Sequence, residues 1–161
     1  MGLYYRSSYG QSGEEVNTDS FYIKCGDKKW LRGQTLTDED LTTDVIIGDN
    51  YYNGYHAFWS LPNFNQNVYI GNNVVDYQHM FYNCTNFNSD VYINTGNTNI
   101  MTSMMFANIA GVKLHFSPNL NSRFNMAGVF FGTTISWTDM SDGNGFYNSE
   151  YNIYCYNNYT V

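Results

Sequence analysis

The sequence predicts a mainly β fold, a short solenoid of about four to five coils, and three observations carry that expectation. Segments of like design begin at Val45, Val68, Val91 and Val112, with a fifth start at Ile135, at spacings of 23, 23, 21 and 23 residues. Recurrence at roughly 20 to 50 residues marks stacked units, none of which can bury its own core alone. Each start reads Val-x-Ile or a close variant, an alternation that sends the first and third side chains to one face of a strand. Charge also thins out through the repeats: between Val45 and Thr134 only Asp49, Asp76, Asp90, Lys113 and Arg123 are ionic.

Residues 1–42 precede the repeats and have a different surface, with Arg6, Lys24, Lys28, Lys29 and Arg32 among many of the acids. Gly10–Asn17 has loop composition. Ser20–Cys25 reads as a strand, Gly26-Asp27 as a turn, and Lys28–Leu31 as the returning strand of a hairpin. Thr37 is placed to cap a short helical turn whose first residues are Asp38, Glu39 and Asp40. This region is expected to cap or dock the solenoid, with Tyr22, Lys24, Lys28, Lys29 and Trp30 as candidate docking residues.

The solenoid is expected over 43–137. Its inward ladder runs Val45/Ile47, Val68/Ile70, Val91/Ile93, Val112/Leu114 and Ile135/Trp137. Gly48-Asp49-Asn50 and Gly71-Asn72-Asn73 turn the chain off the strand. The pairs Met80-Phe81, Met105-Phe106 and Phe130-Phe131 then plug the opposite wall, from short helical or 3-10 turns. Phe58 and Phe81 each lie 13 residues after their start, and Asn-Phe-Asn recurs at 63–65 and 86–88. Asparagines at matching turn positions are expected to bond from coil to coil. Residues 138–161 form the closing cap, in which Ser149–Val161 alternates polar and apolar residues as a strand or hairpin arm.

The run from Val68 to Phe87, V-x-I-G-N-x-V followed by M-F-x-N-C-x-x-F, resembles the 23-residue leucine-rich repeats of the BspA-like bacterial surface-antigen family. The resemblance covers roughly 45–137, with Asn and Phe where that family usually has Leu. It implies a leucine-rich-repeat solenoid of short parallel strands, in which Cys84 is an inward-packed free thiol. The Asn- and Phe-rich dialect is similar to repeats in virion structural proteins of phages of gut Firmicutes. Tyr22–Trp30 resembles a short hairpin of small phage head and tail proteins. The resemblance therefore implies a non-enzymatic structural protein of a tailed-phage virion, a capsid decoration, head fibre or tail accessory made in the host cytoplasm. Its partners would be other virion proteins, further copies of itself, and a host surface protein or glycan. The alternative is a bacterial cell-surface adhesin, which would carry an export signal; Met1–Gly10 has no apolar core of that kind.

Composition argues against other classes. A net charge of -7 with 7 Lys+Arg provides no basic patch for nucleic acid. No apolar run is long enough to span a membrane. Cys25, Cys84 and Cys155 are odd in number and scattered, so free thiols are expected. His56 and His79 fall at the same repeat position without a recurring third ligand, so no metal site or cofactor is expected. Asp49 and Asp76 occupy different positions, read as solvated turn aspartates rather than a catalytic pair. Asp139–Gly145 resembles a calcium loop only faintly, and calcium is not expected there. Binding is expected instead on the outer face of the strand ladder, at Ile46, Tyr69, Tyr92, Lys113 and Ser136, where tyrosine offers contact area with a polar tip.

Overall fold

The computed structural model describes residues 4–6, 15–93, 100–116 and 136–159. β1 (Tyr4–Arg6) and β2 (Glu15–Asn17) pair antiparallel as a separate two-stranded sheet, so the end of the expected Gly10–Asn17 loop is strand; residues 10–14 lie outside the described residues. A 3-10 turn at Thr18–Phe21 leads into β3 (Ile23–Cys25), which hairpins through Gly26 into β4 (Lys28–Trp30). The expected strand therefore starts later than Ser20. The carbonyls of Ser20 and Tyr22 instead accept the amides of Asn50 and Gly48, fastening the turn to the first of the parallel-strand segments. A second 3-10 turn, Asp38–Asp40, follows Thr37, whose amide and hydroxyl both donate to the Asp40 carboxylate at 3.1 Å.

Four parallel strands come next: β5 (Val45–Ile47), β6 (Val68–Ile70), β7 (Asp90–Ile93) and β8 (Val112–Phe116). The register sets Val45 on Val68 and Val68 on Val91, with Ile47, Ile70 and Ile93 beside them, and all six are buried as expected. At β8 the pairing corrects the sequence alignment. Val91 meets Leu114 and Ile93 meets Phe116, so Val112 lies two residues before the position that continues the ladder. A two-residue slip keeps every side chain on its face, which is why Val112, Leu114 and Phe116 are all buried.

The place beside β8 is not taken by Ile135–Trp137. β11 (Ile153–Tyr156) occupies it, parallel, pairing Val112 with Ile153 and Leu114 with Cys155. β10 (Gly145–Asn148) then pairs antiparallel with β11, and β9 (Thr138–Asp139) with β10. Ser136 and Trp137 precede this meander; Trp137 packs edge-on against Phe146 at 5.0 Å. Ile135, Phe130 and Phe131 lie outside the described residues. Among the described residues the fold is thus mainly β, dominated by one open, mixed nine-stranded sheet in the order β4-β3-β5-β6-β7-β8-β11-β10-β9.

Opposite the sheet, Phe58, Phe64, Met80, Phe81, Phe87, Met105 and Phe106 fill the core, each essentially inaccessible to solvent. They are held by consecutive β-turns rather than by helical or 3-10 turns. The amides of Gly54, His56, Phe58 and Ser60 donate to the carbonyls of Asp76, Gln78, Met80 and Tyr82 in the next segment, at 2.8–3.2 Å. Tyr77, His79, Phe81 and Asn83 donate in the same way to Met101, Ser103, Met105 and Ala107. Intervening amides such as Ala57, Met80 and Cys84 close four-residue turns on their own segment. That alternation needs left-handed backbone at His56, His79 and Met104 (φ 59°, 52° and 52°) and again at Ser60, Asn83 and Asn108. Each such residue costs of order 1 kcal/mol or more, offset at His56, Ser60, His79 and Asn83 by a segment-to-segment hydrogen bond.

The expected asparagine contacts are present. Asn73 reaches Asn50 at 3.4 Å, Asn86 reaches Asn63 at 3.5 Å, and the Asn88 amide donates to the Asn65 side chain at 2.8 Å.

Candidate functional site

The outward side chains of the parallel strands fall into one row because each pairs directly with the next. The row runs Lys24, Ile46, Tyr69, Tyr92, His115 and Tyr156. Ile46, Tyr69 and Tyr92 were expected in it, and they are brought together. Lys113 shares the face but belongs to the neighbouring row, between Asp90 and Tyr154. Ser136 is outside the ladder; its carbonyl accepts the Asn148 side chain at 2.6 Å. His115 and Tyr156 take the two places instead.

Four rings of this row stack like plates. Tyr69–Tyr92, Tyr92–His115 and His115–Tyr156 have centroids 4.6, 4.4 and 4.8 Å apart, with planes inclined by 3°, 12° and 11°. The spacing is that of neighbouring strands, so the rings stand upright and cover one another's faces. His115 Nε2 also lies 2.7 Å from an Asp90 carboxylate oxygen. Desolvation first, and then the Asp90 charge, push the Tyr92 and Tyr156 phenols above their ordinary pKa, so both stay protonated through neutral pH. Tyr159 leans on Tyr92 at 5.3 Å. A groove of about 390 Å³ opens beside Tyr69, lined by Ile46, Tyr159, Asp19, Lys24 and Asn72 among others.

The candidate docking hairpin is differently disposed from the expectation. Trp30 is a core residue, only 8% exposed, and its ring is not offered to a partner. Lys24 pairs with Asp19 at 3.3 Å, Lys29 pairs with the same carboxylate, and Lys28 pairs with Asp40 at 2.8 Å. The Lys29 ammonium also stands 5.9 Å from the centre of the half-buried Tyr22 ring. The lysines therefore fasten the hairpin to its own turns.

A surface that the sequence reading passed over lies on the turn side. Among the described residues the exposed large apolar side chains are Leu31, Tyr52, Tyr55, Trp59, Met101 and Ile46, and only Ile46 belongs to the strand face. Arg32 joins the hairpin to this patch by donating to Asn53 Oδ1 at 2.9 Å and to the carbonyls of Asn53 and Tyr55 at 3.1 Å. His56 is stacked on Tyr55 and set edge-on to Trp59, both at 3.7 Å. Its pKa is lowered, first by desolvation and then by His79, whose ring centre is 5.3 Å away. The signal in the sequence was the density of aromatic residues from Tyr51 to Trp59, of which only Phe58 was assigned a place.

Among the described residues no three His, Cys, Asp or Glu side chains converge as metal ligands. Asp49 is an exposed turn residue accepting the Asn72 amide at 3.1 Å. Asp76 departs from the expectation of a solvated aspartate. It is 7% exposed, accepts both the amide and side chain of Gln78, and bridges Asn53 to Met101 through its backbone. Residues Met140–Gly145 form the β9–β10 hairpin turn, closed by the Met140 amide on the Gly145 carbonyl at 3.0 Å. The three cysteines are free and buried. Among the described residues no helix is long and apolar enough to cross a membrane.

Searches of protein-family models, curated proteins and solved structures found no match for this chain.

Proposed function

We propose that the stacked strands and turns are a short leucine-rich-repeat solenoid of the BspA-like kind, and that the chain serves without catalysis as a structural protein of a tailed-phage virion. In this reading it is a capsid decoration, head fibre or tail accessory that assembles on the particle and presents its strand face outward. The 23-residue step that relates Val45, Val68 and Val91, together with the buried Cys84, supports the repeat assignment.

The observation that carries the assembly role is the exposure of Leu31, Tyr52, Tyr55, Trp59 and Met101 on the turn side, where Arg32 is bonded to Asn53 and Tyr55. Tryptophan, tyrosine, methionine and arginine are the residues enriched at protein–protein contacts, and exposed clusters of them mark interaction surfaces. The virion context rests on the Asn- and Phe-rich form of the repeats and on the Tyr22–Trp30 hairpin.

Immunogold electron microscopy on a lysate of an induced producing culture tests it. Regular gold on particle heads or tails is expected, and its position separates decoration from tail accessory. Gold on cell envelopes beside bare particles would overturn the virion reading in favour of a bacterial surface protein.

A further inference from the structure

The aromatic row on the strand face has two unlike ends. From Tyr156 to Tyr69 each ring covers the next. The following position, on β5, is Ile46, which is aliphatic and 50% exposed. The outer face of Tyr69 therefore ends the stack where the groove of about 390 Å³ begins. That volume falls within the roughly 300–1,000 Å³ range of small-molecule sites.

The groove is polar at its rim and electrically balanced. Lys24 is bonded to Asp19, which also holds Lys29, and Asp49 lies on the same lining. Asp19, Asp49 and Lys24 line the groove, and the Lys29 ammonium held on Asp19 from outside the lining brings the local charges into balance, leaving no excess charge to select an ion. They do supply adjacent donors and acceptors, the arrangement that neighbouring hydroxyls require. An aromatic face carries partial negative charge and meets the weakly positive C–H bonds on one face of a sugar ring.

We propose that this groove binds an uncharged pyranose sugar, stacked on Tyr69 as the next ring of the row with its hydroxyls towards Asp19 and Lys24. The inference deepens the outward-facing, adhesive part of the function proposed above and names its ligand as a unit of a neutral glycan. A planar aromatic group would use the Tyr69 face but leave the paired rim charges without hydroxyls to meet.

Saturation-transfer NMR tests the site, with methyl β-glucopyranoside, methyl β-galactopyranoside and methyl N-acetyl-β-glucosaminide as probes at millimolar concentration and indole as the aromatic comparison. At least one sugar is expected to receive saturation concentrated on the C–H protons of one ring face. Tyr69→Phe keeps the signal, Tyr156→Ala at the far end of the row keeps it, and Tyr69→Ala weakens binding about tenfold or more. Ile46→Trp, at an exposed position where a larger ring meets solvent, fills the groove and abolishes sugar binding with the native amide spectrum retained. Saturation of none of the three sugars, stronger saturation of indole than of any sugar, or unchanged sugar binding in Ile46→Trp overturns the proposal. Particle labelling is independent of these readouts, so sugar binding beside bare particles would retain the site and remove the virion reading, and the reverse result would do the opposite.

Discussion

Cys84 donates its thiol hydrogen to the backbone carbonyl of Phe58 at 2.9 Å, tying the turns that follow β6 to those that follow β5. The thiol is fully buried, and desolvation pushes its pKa up to about 12. Burial also raises the pKa of Cys155. A thiol that resists ionisation and solvent is a poor nucleophile, so native protein is expected to leave Cys84 and Cys155 unlabelled by a thiol-specific disulfide reagent at pH 8. Both should react across the urea unfolding transition. The raised folded-state pKa also fixes the sign of the pH dependence. The thiol contribution is intact below the unfolded value of about 8.5 and is lost as pH rises towards 12, at up to about 1.4 kcal/mol per pH unit for each thiol. Cys84→Ala, which leaves the Phe58 carbonyl without this donor, is expected to cost about 1–2 kcal/mol in urea denaturation.

Phe81 is the centre of the turn-side core. Its ring lies 5.3 Å from Phe58, 5.1 Å from Phe106 and 4.9 Å from Phe87, centre to centre, so the segments that follow β5, β6 and β7 meet on it. Phe81→Ala removes the shared surface and leaves a cavity that the hydrogen-bonded turns cannot close. A loss of about 3–5 kcal/mol is expected from chemical denaturation, and Phe81→Leu should cost distinctly less. Equal costs for both substitutions would mean that the stack collapses around the site instead of holding its spacing.

Gly71 sets how closely the chain after β6 approaches the chain after β5. A Cβ there would come within 2.6 Å of Asp49 Cα, and Gly48 is confined in the same way by the Ser20 carbonyl. The contacts are to backbone, so no side chain can swing aside. Gly71→Ala is expected to destabilise by about 1–3 kcal/mol, measured by thermal or urea unfolding, through forced separation of β5 and β6.

The part of the fold that could be read from the sequence is the part where one residue meets its counterpart at constant offset. Val45, Val68 and Val91 needed only alternation and a period. The same step applied to the outer face, from Ile46 through Tyr69 and Tyr92, leads to His115; anchoring the fourth repeat on Val112 diverted it to Lys113. The strand after β8 was misplaced for a different reason. Ile135–Trp137 matches the local pattern, whereas Ile153–Tyr156 reaches its place by returning through a meander, and no local periodicity encodes such a return. Trp30 and Asp76 were misjudged because burial depends on what the hairpin and the following segment cover. The turn-side patch was missed because Tyr52, Tyr55 and Trp59 follow no recurring offset, and only the folded chain shows which aromatic side chains the core leaves exposed.

His56 reports directly on that patch. Its pKa is lowered by desolvation first and by the neighbouring His79 next, so protonation favours the unfolded chain. Any stabilisation from neutral His56 is present above the unfolded value near 6.5 and is lost as pH falls through the lower folded value. An NMR titration of the ring protons should place the His56 midpoint below 6.5. Replacing His79 by Asn removes the like charge and should move that midpoint upward, while desolvation keeps it from reaching the free value.

The assembly role makes the sharpest demand on Trp59 and Tyr55. Trp59 is 46% exposed and Tyr55 is 37% exposed, and neither ring is part of the buried core. Solvent already reaches both, so Trp59→Ser and Tyr55→Ser should change folding stability by no more than about 1 kcal/mol. If the patch seats the chain on a particle, the same changes remove the aromatic anchors that supply most of an interface's binding energy, a loss of about 2 kcal/mol or more. Co-expression of tagged wild-type and double-variant chains during particle production, followed by gradient purification, reads that difference directly. The variant should be depleted from particles about thirtyfold relative to wild type while remaining folded in the unassembled fraction. Equal incorporation of both chains would assign the contact to another surface, and depletion accompanied by unfolding of the free variant would make Trp59 a structural residue instead.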